Sequence, residues 1–293
     1  MKKNIGIHGK SIEKESISKI KDILITILSF PFNYYITDEF FQELNQHGIL
    51  PAEFKLLKQK VNREKLAMFW SIGGDGTFLE TINKIGDQEI PVLGINMGRL
   101  GFLATLSPNE LEEGIKYIER NEYTIEARSM IQVESDINPF GNKNIGLNEV
   151  GIMKTDTSSM IKIKAYLNGE ILNNYWADGL IIATATGSTA YSLSIGGPII
   201  LPTSDHFILA PMSPHNLTVR PIVIPNDSEL KFEISSRSNN FLLSLDSQSK
   251  VIESKNIIRV KKGDFQAKII KIPKDNFFKT LRNKLHWGLD MRN

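Results

Sequence analysis

The pattern of apolar residues changes near residue 121, and this change most constrains the fold. Before it, short apolar runs at 66–72 and 91–96 alternate with segments of helical spacing, as in Ile17, Ile20 and Leu24. Strands that alternate with helices predict a parallel sheet with flanking helices. After residue 121 most apolar segments resemble strands. We therefore expect an α/β N-terminal domain followed by a mostly antiparallel, β-rich second domain.

Two local signals refine this division. Asn168-Gly169 lies between two apolar runs and is typical of a hairpin turn whose two central residues have positive φ. Near the end of the chain, Phe278, Leu281 and Leu285 lie at helical spacing. The strands predicted for the second part are 123–134, 160–167, 170–176, 217–224, 230–235, 241–245, 257–260 and 265–272. The expected domains are 1–121 and 122–274, with a C-terminal helix within 275–293 that packs back on the first domain.

Composition narrows the possible functions. The 293 residues are 41% hydrophobic and 23% charged, which is typical of globular proteins, and the net charge of +2 argues against a nucleic-acid binder or a membrane-surface protein. The chain has no cysteine, so disulfides, thiol catalysis and cysteine-ligated zinc are excluded, and the cytoplasm is the expected location. We expect no membrane span. The five histidines show no metal-binding spacing.

The sequence at 73–77 carries the clearest chemical signal. Gly73, Gly74 and Gly76 let a phosphate chain approach the backbone, and the helix that is predicted to begin near Thr77 directs free N–H groups at the same place. Asp75 would repel a phosphate unless it had a task, such as accepting a proton from an attacking hydroxyl or holding Mg²⁺. The alternative interpretation is an ordinary Asp-Gly turn.

A second glycine-rich loop follows the predicted strand at 91–96. Because ligands bind beyond the carboxyl ends of parallel strands, Asn96, Gly98 and Arg99 are expected to line the same crevice as Asp75 and to contact ATP phosphates. The alternative for Arg99 is a solvated loop cation.

The segment 177–198 is rich in hydroxyl and small side chains. This composition predicts a poor core strand but a good wall for a polar ligand, and Asp178 is placed to accept from a ribose hydroxyl. The alternative is a connecting loop.

Four segments, at 73–77, 96–103, 147–150 and 178–198, closely resemble NAD kinases, with weaker similarity at 211–215, 220–221 and 246–248. The resemblance implies a small α/β domain and a β-rich domain with the active site between them, and assembly as a homodimer or homotetramer. It implies that Asp75 is the catalytic base. The implied NAD-binding residues are Asp75, Gly76, Asn148, Glu149, Asp178, Thr189, Ala190, Tyr191, Ser192, Leu193, Ser194 and Gln248.

The expected reaction is transfer of the γ-phosphoryl group of ATP to the adenosine 2′-hydroxyl of NAD, with Mg²⁺ carried by ATP and NADP as the product. Three positions depart from the family pattern. Ala185 replaces a proline, Trp176 stands where many relatives have a basic residue, and Ser159 stands where they often have a polar or basic contact. Ala185 removes no ligand-facing group, whereas Trp176 and Ser159 concern the contacts with the acceptor phosphates.

Two other functions are compatible with parts of the sequence. Lipid and sphingoid kinases share the glycine-rich phosphate loop, but their acceptors need an apolar slot rather than a hydroxyl-rich wall. A non-catalytic protein that binds NAD or NADP and regulates a partner would have no need of Asp75 beside phosphates. Formation of NADP from NAD and ATP separates these alternatives.

Overall fold

A computed structural model describes residues 2–10, 12–57, 62–98, 100–141, 144–155 and 159–288. The chain divides into two compact units, of which unit 1 comprises Met1–Glu126 with Lys268–Asn293 and unit 2 comprises Ala127–Ala267. The predicted combination of an α/β part and an antiparallel β part is confirmed. The α-helices among the described residues are α1 (Ile17–Leu28), α2 (Asp38–Gln46), α3 (Asp75–Ile85), α4 (Leu111–Glu119), α5 (Tyr191–Ser194) and α6 (Phe277–Leu285).

Unit 1 is built on a parallel sheet. Its strands are β1 (Asn4–Gly9), β2 (Asn33–Ile36), β3 (Lys55–Leu56), β4 (Met68–Gly73) and β5 (Val92–Asn96). They lie in the order β5-β4-β1-β2-β3, and every one of these pairs is parallel. All six residues of β4 are buried, as expected for a strand covered on both faces. Because the strands run in one direction, the turns after β1, β4 and β5 meet at one edge of the sheet.

Helices bury their apolar stripes in the core of unit 1. Ile20 and Leu24 of α1 are among its buried residues, as their spacing predicted. In α6, Leu281 is buried, but Phe278 is 49% exposed, so the predicted stripe is only partly buried. The neighbouring Phe277 instead contacts the ring of Phe102, with 6.4 Å between ring centroids. The segment at 33–46, for which no elements were predicted, forms β2 and α2.

The twelve remaining strands of the described chain lie wholly or mainly in unit 2. They are β6 (Thr124–Ser135), β7 (Ile145–Gly146), β8 (Glu149–Lys154), β9 (Ile161–Leu167), β10 (Glu170–Ala177), β11 (Gly179–Thr184), β12 (His206–Met212), β13 (Ile222–Pro225), β14 (Leu230–Ser235), β15 (Asn240–Leu245), β16 (Gln248–Glu253) and β17 (Ile258–Lys271). One antiparallel sheet has the order β13-β12-β11-β8-β15-β16. A second group pairs in the order β10-β9-β14-β17.

The two groups of strands in unit 2 share one apolar core, which includes Ile152 and Ile182 from the first and Ile163 and Phe232 from the second. The predicted hairpin turn joins β9 to β10, and its Asn168 and Gly169 have φ of 49° and 87°. The prediction of two strands at 257–260 and 265–272 is wrong, because β17 continues through the polar residues between them. Its last residues belong to unit 1, where Ile269 pairs with Val92.

No helix among the described residues has the length and apolar character that crossing a membrane requires.

Candidate functional site

The glycine-rich turn joins β4 to α3 at the carboxyl edge of the sheet in unit 1. Gly73 ends β4 and Asp75 begins α3. A Cβ atom on Gly73 would collide with the side chain of Thr77, so glycine allows this close packing. A Cβ on Gly74 or Gly76 would meet no atom of the described residues within 4 Å. The first N–H groups of a helix lack intrahelical acceptors, so the open backbone here is suited to an anion.

The Asp75 carboxylate is held by the loop that follows β5. Its Oδ2 accepts the backbone N–H of Phe102 at 2.9 Å, and its Oδ1 accepts those of Leu103 and Ala104 at 3.0 and 3.1 Å. A Cβ on Gly101 would overlap Asp75 Oδ1, so glycine is needed for this approach. A carboxylate offers about four lone-pair sites, so these donors leave roughly one for a further partner.

A lysine of the C-terminal helix approaches the same carboxylate. Lys284 Nζ lies 3.6 Å from Asp75 Oδ2, and the two side chains are 34% and 31% exposed. The ammonium also lies 5.0 Å from the centroid of the Phe102 ring. Sequence reasoning missed Lys284, because no local pattern links α6 to the turn at Asp75.

The loop after β5 contains the other residues predicted to contact phosphate. Asn96 is 2% exposed, and its Oδ1 accepts the backbone N–H of Gly98 at 3.0 Å. Its Nδ2 is buried with no hydrogen-bond partner among the described residues. Lys19 Nζ lies 3.5 Å from the position that a Cβ would occupy on Gly98. Arg99, predicted to contact phosphate, lies outside the described residues.

In unit 2, the segment before β8 is fixed by a buried aspartate. Asp246 Oδ2 accepts the backbone N–H of Leu147 at 2.7 Å, and its Oδ1 accepts those of Asn148 and Glu149 at 2.9 and 3.1 Å. Asp246 has φ of 48°, in the left-handed region, at the turn between β15 and β16. The predicted contact residue Gln248 begins β16 and pairs with Leu245. Sequence reasoning noted the similarity at 246–248 but assigned no role to Asp246.

Glu149 lies between this turn and α5. Its carboxylate accepts the backbone N–H of Tyr191, and its Oε2 is buried without a hydrogen-bond partner among the described residues. Burial, and then the nearby Asp246 carboxylate, raises the pKa of Glu149 to about 8. Burial also raises the pKa of Asp246, against the effect of its three backbone donors. At neutral pH much of Glu149 therefore keeps a proton that it can donate.

The hydroxyl-rich segment differs in part from the prediction. Gly179–Thr184 forms β11, a fully buried strand, so the interpretation of this part as a poor core strand is wrong. Residues 180–182 form a continuous apolar run, which is what a strand packed on both faces requires. The Thr184 hydroxyl is satisfied internally, since it donates to the carbonyl of Leu147 at 2.6 Å and accepts the N–H of Gly187 at 3.1 Å.

The residues after β11 form a short 3₁₀ turn followed by α5. A Cβ on Gly187 would overlap the backbone of Asn148, so the turn packs directly on the Asn148-Glu149 segment. The structure thus brings Asn148 and Glu149 together with the segment 189–194. Within it, Tyr191 is 40% exposed, whereas Ser192 is buried and its Oγ has no hydrogen-bond partner in the described chain. The other predicted members are partly buried or exposed, namely Thr189, Ala190, Leu193 and Ser194.

Asp178 lies at the opposite end of β11 from this group. It precedes Gly179, which pairs with Met153, whereas Thr184 ends the strand beside Asn148. At about 3.4 Å per residue, the two ends of β11 are roughly 17 Å apart. The Asp178 carboxylate forms an ion pair with Lys154, with 2.7 Å between Oδ1 and Nζ.

An open pocket of about 430 Å³ in unit 2 includes two of the three departures from the family pattern, Ser159 and Trp176. The Trp176 ring lies 4.8 Å from the His215 ring, and Lys162 Nζ lies 5.4 Å from the Trp176 centroid. Arg237 also lines the pocket. The pocket is therefore lined by the basic side chains of Lys162 and Arg237 and by the aromatic ring of Trp176.

Acidic and histidine side chains do not gather into a metal-binding group of three or more anywhere in the described part of the chain. Asp75 is the acidic side chain of the glycine-rich turn.

Comparison with known proteins gives consistent matches over both units. Residues 8–123 match the family model described as the ATP-NAD kinase N-terminal domain, and residues 147–272 match that of the ATP-NAD kinase C-terminal domain. The chain is 43% identical to the NAD kinase of Cytophaga hutchinsonii over 98% of this chain and 99% of that protein. It is 49% identical to the NAD kinase of Bacteroides fragilis over 77% and 78% of the two chains.

Two solved structures are similar in fold. The yeast NADH kinase complexed with NADH matches with a TM-score of 0.84 and 21% identity, over 99% of this chain and 89% of that one. An NAD kinase from Archaeoglobus fulgidus in complex with ATP matches with a TM-score of 0.69 and 24% identity, over 97% and 98%.

Proposed function

The chain belongs to the ATP-NAD kinase family, and we propose that it transfers the γ-phosphoryl group of ATP to the adenosine 2′-hydroxyl of NAD, giving NADP. The observation that carries this proposal is the match of both kinase domain models, at 8–123 and 147–272. The glycine-rich turn, with its open backbone and single carboxylate, supports the same reaction. Family membership favours this function over a lipid or sphingoid kinase and over a non-catalytic regulator.

In the proposed mechanism, Asp75 accepts the proton of the 2′-hydroxyl while that oxygen attacks the γ-phosphorus and the bond to the leaving ADP breaks. The lone-pair site left by the three backbone donors is available for this proton. The N–H groups at the start of α3 stabilise phosphate charge, together with the turn residues Gly73, Gly74, Gly76 and Thr77. Asn96, Gly98 and Arg99 are proposed to bind ATP from the next loop.

Asp75 and Gly76 are proposed to contact NAD. The support for the unit 2 contacts is the packing of the turn at 186–189 and of α5 against Asn148-Glu149. A positioned base is typically worth about 10²- to 10⁴-fold in rate, and alignment and charge stabilisation supply the remainder. The proposed unit 2 contacts are Asn148, Glu149, Asp178, Thr189, Ala190, Tyr191, Ser192, Leu193, Ser194 and Gln248.

We further propose that Mg²⁺ arrives with ATP. Mg²⁺ usually keeps several waters and is bound through substrate phosphates rather than by a cage of protein ligands, so ATP is proposed to carry the ion and no protein ligand is assigned to it. When bound, the ion neutralises phosphate charge.

The functional domains are proposed to be residues 1–121 for the phosphate turn and 122–274 for dinucleotide binding, with the helix within 275–293 joined to the first.

A homodimer or homotetramer is also proposed. Its support is the exposed apolar surface of the edge strand β13, where Ile222 and Val223 are 38% and 41% exposed. Light scattering of the purified chain measures the assembly. The cytoplasmic location stays a prediction.

A panel of acceptors tests the proposed function. The purified chain is incubated with γ-labelled ATP, Mg²⁺ and, separately, NAD, diacylglycerol or sphingosine. We expect label in NAD alone. Label in a lipid would support the rival kinase, and NAD binding without transfer to any acceptor would support a regulator.

A further inference from the structure

Lys284 occupies a position that the proposed mechanism does not explain. It lies in α6, outside the ranges 8–123 and 147–272 that match the family models. Its ammonium is nevertheless 3.6 Å from Oδ2 of the proposed base Asp75. At this distance the two groups interact by charge, while Nζ is too far for a normal hydrogen bond to Oδ2.

The surroundings hold the ammonium beside the carboxylate. Phe102, whose backbone N–H donates to Asp75, also places its ring 5.0 Å from Lys284 Nζ. The Phe102 ring in turn contacts Phe277 of α6. The loop therefore contacts Asp75 through its backbone and Lys284 through the Phe102 ring. These two contacts keep the carboxylate and the ammonium next to each other.

The charges at this position change during the proposed reaction. Before transfer, the Asp75 carboxylate balances the Lys284 ammonium. When the 2′-hydroxyl proton moves to Asp75 Oδ2, Asp75 becomes neutral and the ammonium loses its counter-ion. At the same time the phosphoryl group, which carries its negative charge on peripheral oxygens, forms a bond to the 2′-oxygen and loses its bond to ADP. A lysine near these oxygens can stabilise them.

We propose that Lys284 is a further catalytic residue, whose ammonium pairs with Asp75 in the free enzyme and with the transferring phosphoryl group once Asp75 has accepted the proton. This inference rests on the proposed phosphoryl transfer. The alternative role is structural, in which Lys284 merely attaches α6 to unit 1.

The test compares Lys284→Met with Arg282→Met. Arg282 is also a basic residue of the last turn of α6, and residues two apart do not share a helix face. We expect Lys284→Met to lower kcat by about 10²- to 10³-fold, the range for loss of one preorganised charge-stabilising donor, with little change in the KM for NAD. Lys284→Arg should lose less, and methylamine should restore part of the activity of Lys284→Ala.

Each result distinguishes the two roles once kcat is expressed per folded protein. A purely structural lysine predicts a lower Tm for Lys284→Met, wild-type kcat for the folded fraction and no effect of methylamine. That result would overturn the inference. An equal loss of kcat in Arg282→Met would overturn it as well, because the effect would then reflect general positive charge. The wild-type assay with NAD separately tests the proposed function, so failure of one is distinguishable from failure of the other.

Discussion

Lys154 and Asp178 form an ion pair in unit 2, with 2.7 Å between Nζ and Oδ1. We predict that Asp178→Asn weakens NAD binding by about 1.5 to 3 kcal/mol, the range for a hydrogen bond to a charged group, with a smaller effect on ATP. Calorimetric titration with NAD measures this change. The physical reason is the charge-assisted bond between the carboxylate and a ribose hydroxyl.

Lys154→Met is the matched control for Asp178, because it breaks the ion pair and keeps the carboxylate. A partly exposed ion pair of this kind contributes about 1 kcal/mol or less to stability, so this variant should remain folded. If Asp178 serves only the ion pair, both variants should bind NAD within about twofold of wild type, a difference of roughly 0.4 kcal/mol. That result would remove Asp178 from the NAD site.

Asp75→Asn should lower kcat by at least about 10²-fold, because an amide cannot accept the hydroxyl proton. The stability of the variant should also change, because the Asp75 carboxylate accepts three backbone N–H groups of the loop after β5. One of the two Asn side-chain positions is an NH₂ group, which cannot accept from the loop, so stability should also fall by about 1 to 3 kcal/mol. Thermal denaturation and kcat per folded protein separate the two effects. Wild-type kcat in the folded variant at saturating NAD and ATP would rule out Asp75 as the base.

Asn148→Ala and Thr189→Ala should each raise the KM for NAD by roughly 2- to 13-fold, the equivalent of about 0.5 to 1.5 kcal/mol for one hydrogen bond. The KM for ATP should change little. Thr184→Val serves as a structural control, since the Thr184 hydroxyl bonds Leu147 and Gly187 within the protein. It should lower Tm. A larger change in the KM for ATP than in the KM for NAD would show that the two substrate sites are assigned the wrong way round.

Stability should depend on pH through Glu149. Its folded pKa is raised to about 8 from an ordinary 4.5, chiefly by burial and then by Asp246. Between these values the folded state binds more protons than the unfolded state, so stability falls as pH rises. We predict that the stability of Glu149→Gln depends less on pH than that of the wild type. The Tm of the variant relative to the wild type should therefore increase from pH 5 to pH 8. Parallel Tm curves for the two proteins would contradict a raised pKa.

Local sequence patterns were sufficient to predict much of the fold. The turn at Gly73 to Thr77 was predictable because its glycines, the preceding strand and the following helix are contiguous. The hairpin at Asn168-Gly169 was predictable for the same reason. By contrast, β11 was missed because its apolar run at 180–182 was interpreted together with the small and hydroxyl residues that follow it, as one ligand wall. The Thr184 hydroxyl is in fact satisfied inside the protein.

Other features depend on contacts between distant segments. Asp246 binds the backbone at 147–149, and Lys284 approaches Asp75, yet neither relationship has a local sequence signal. For Asp178, by contrast, proximity in sequence does not correspond to proximity in space. It is close in sequence to the segment 189–194, but the buried strand β11 separates the two in space. Proximity along the chain was therefore a poor guide to which side chains share a site.

The most direct test of the central claim is the formation of NADP by the wild-type chain. The protein is incubated with NAD, ATP and Mg²⁺, and the product is measured with a dehydrogenase that accepts NADP but not NAD. NAD whose adenosine ribose lacks the 2′-hydroxyl is the control substrate. We predict NADP in an amount equal to the ADP released, and no transfer to the control. ATP-dependent transfer to the control substrate, or no NADP from folded protein that binds both substrates, would contradict phosphorylation of the adenosine 2′-hydroxyl.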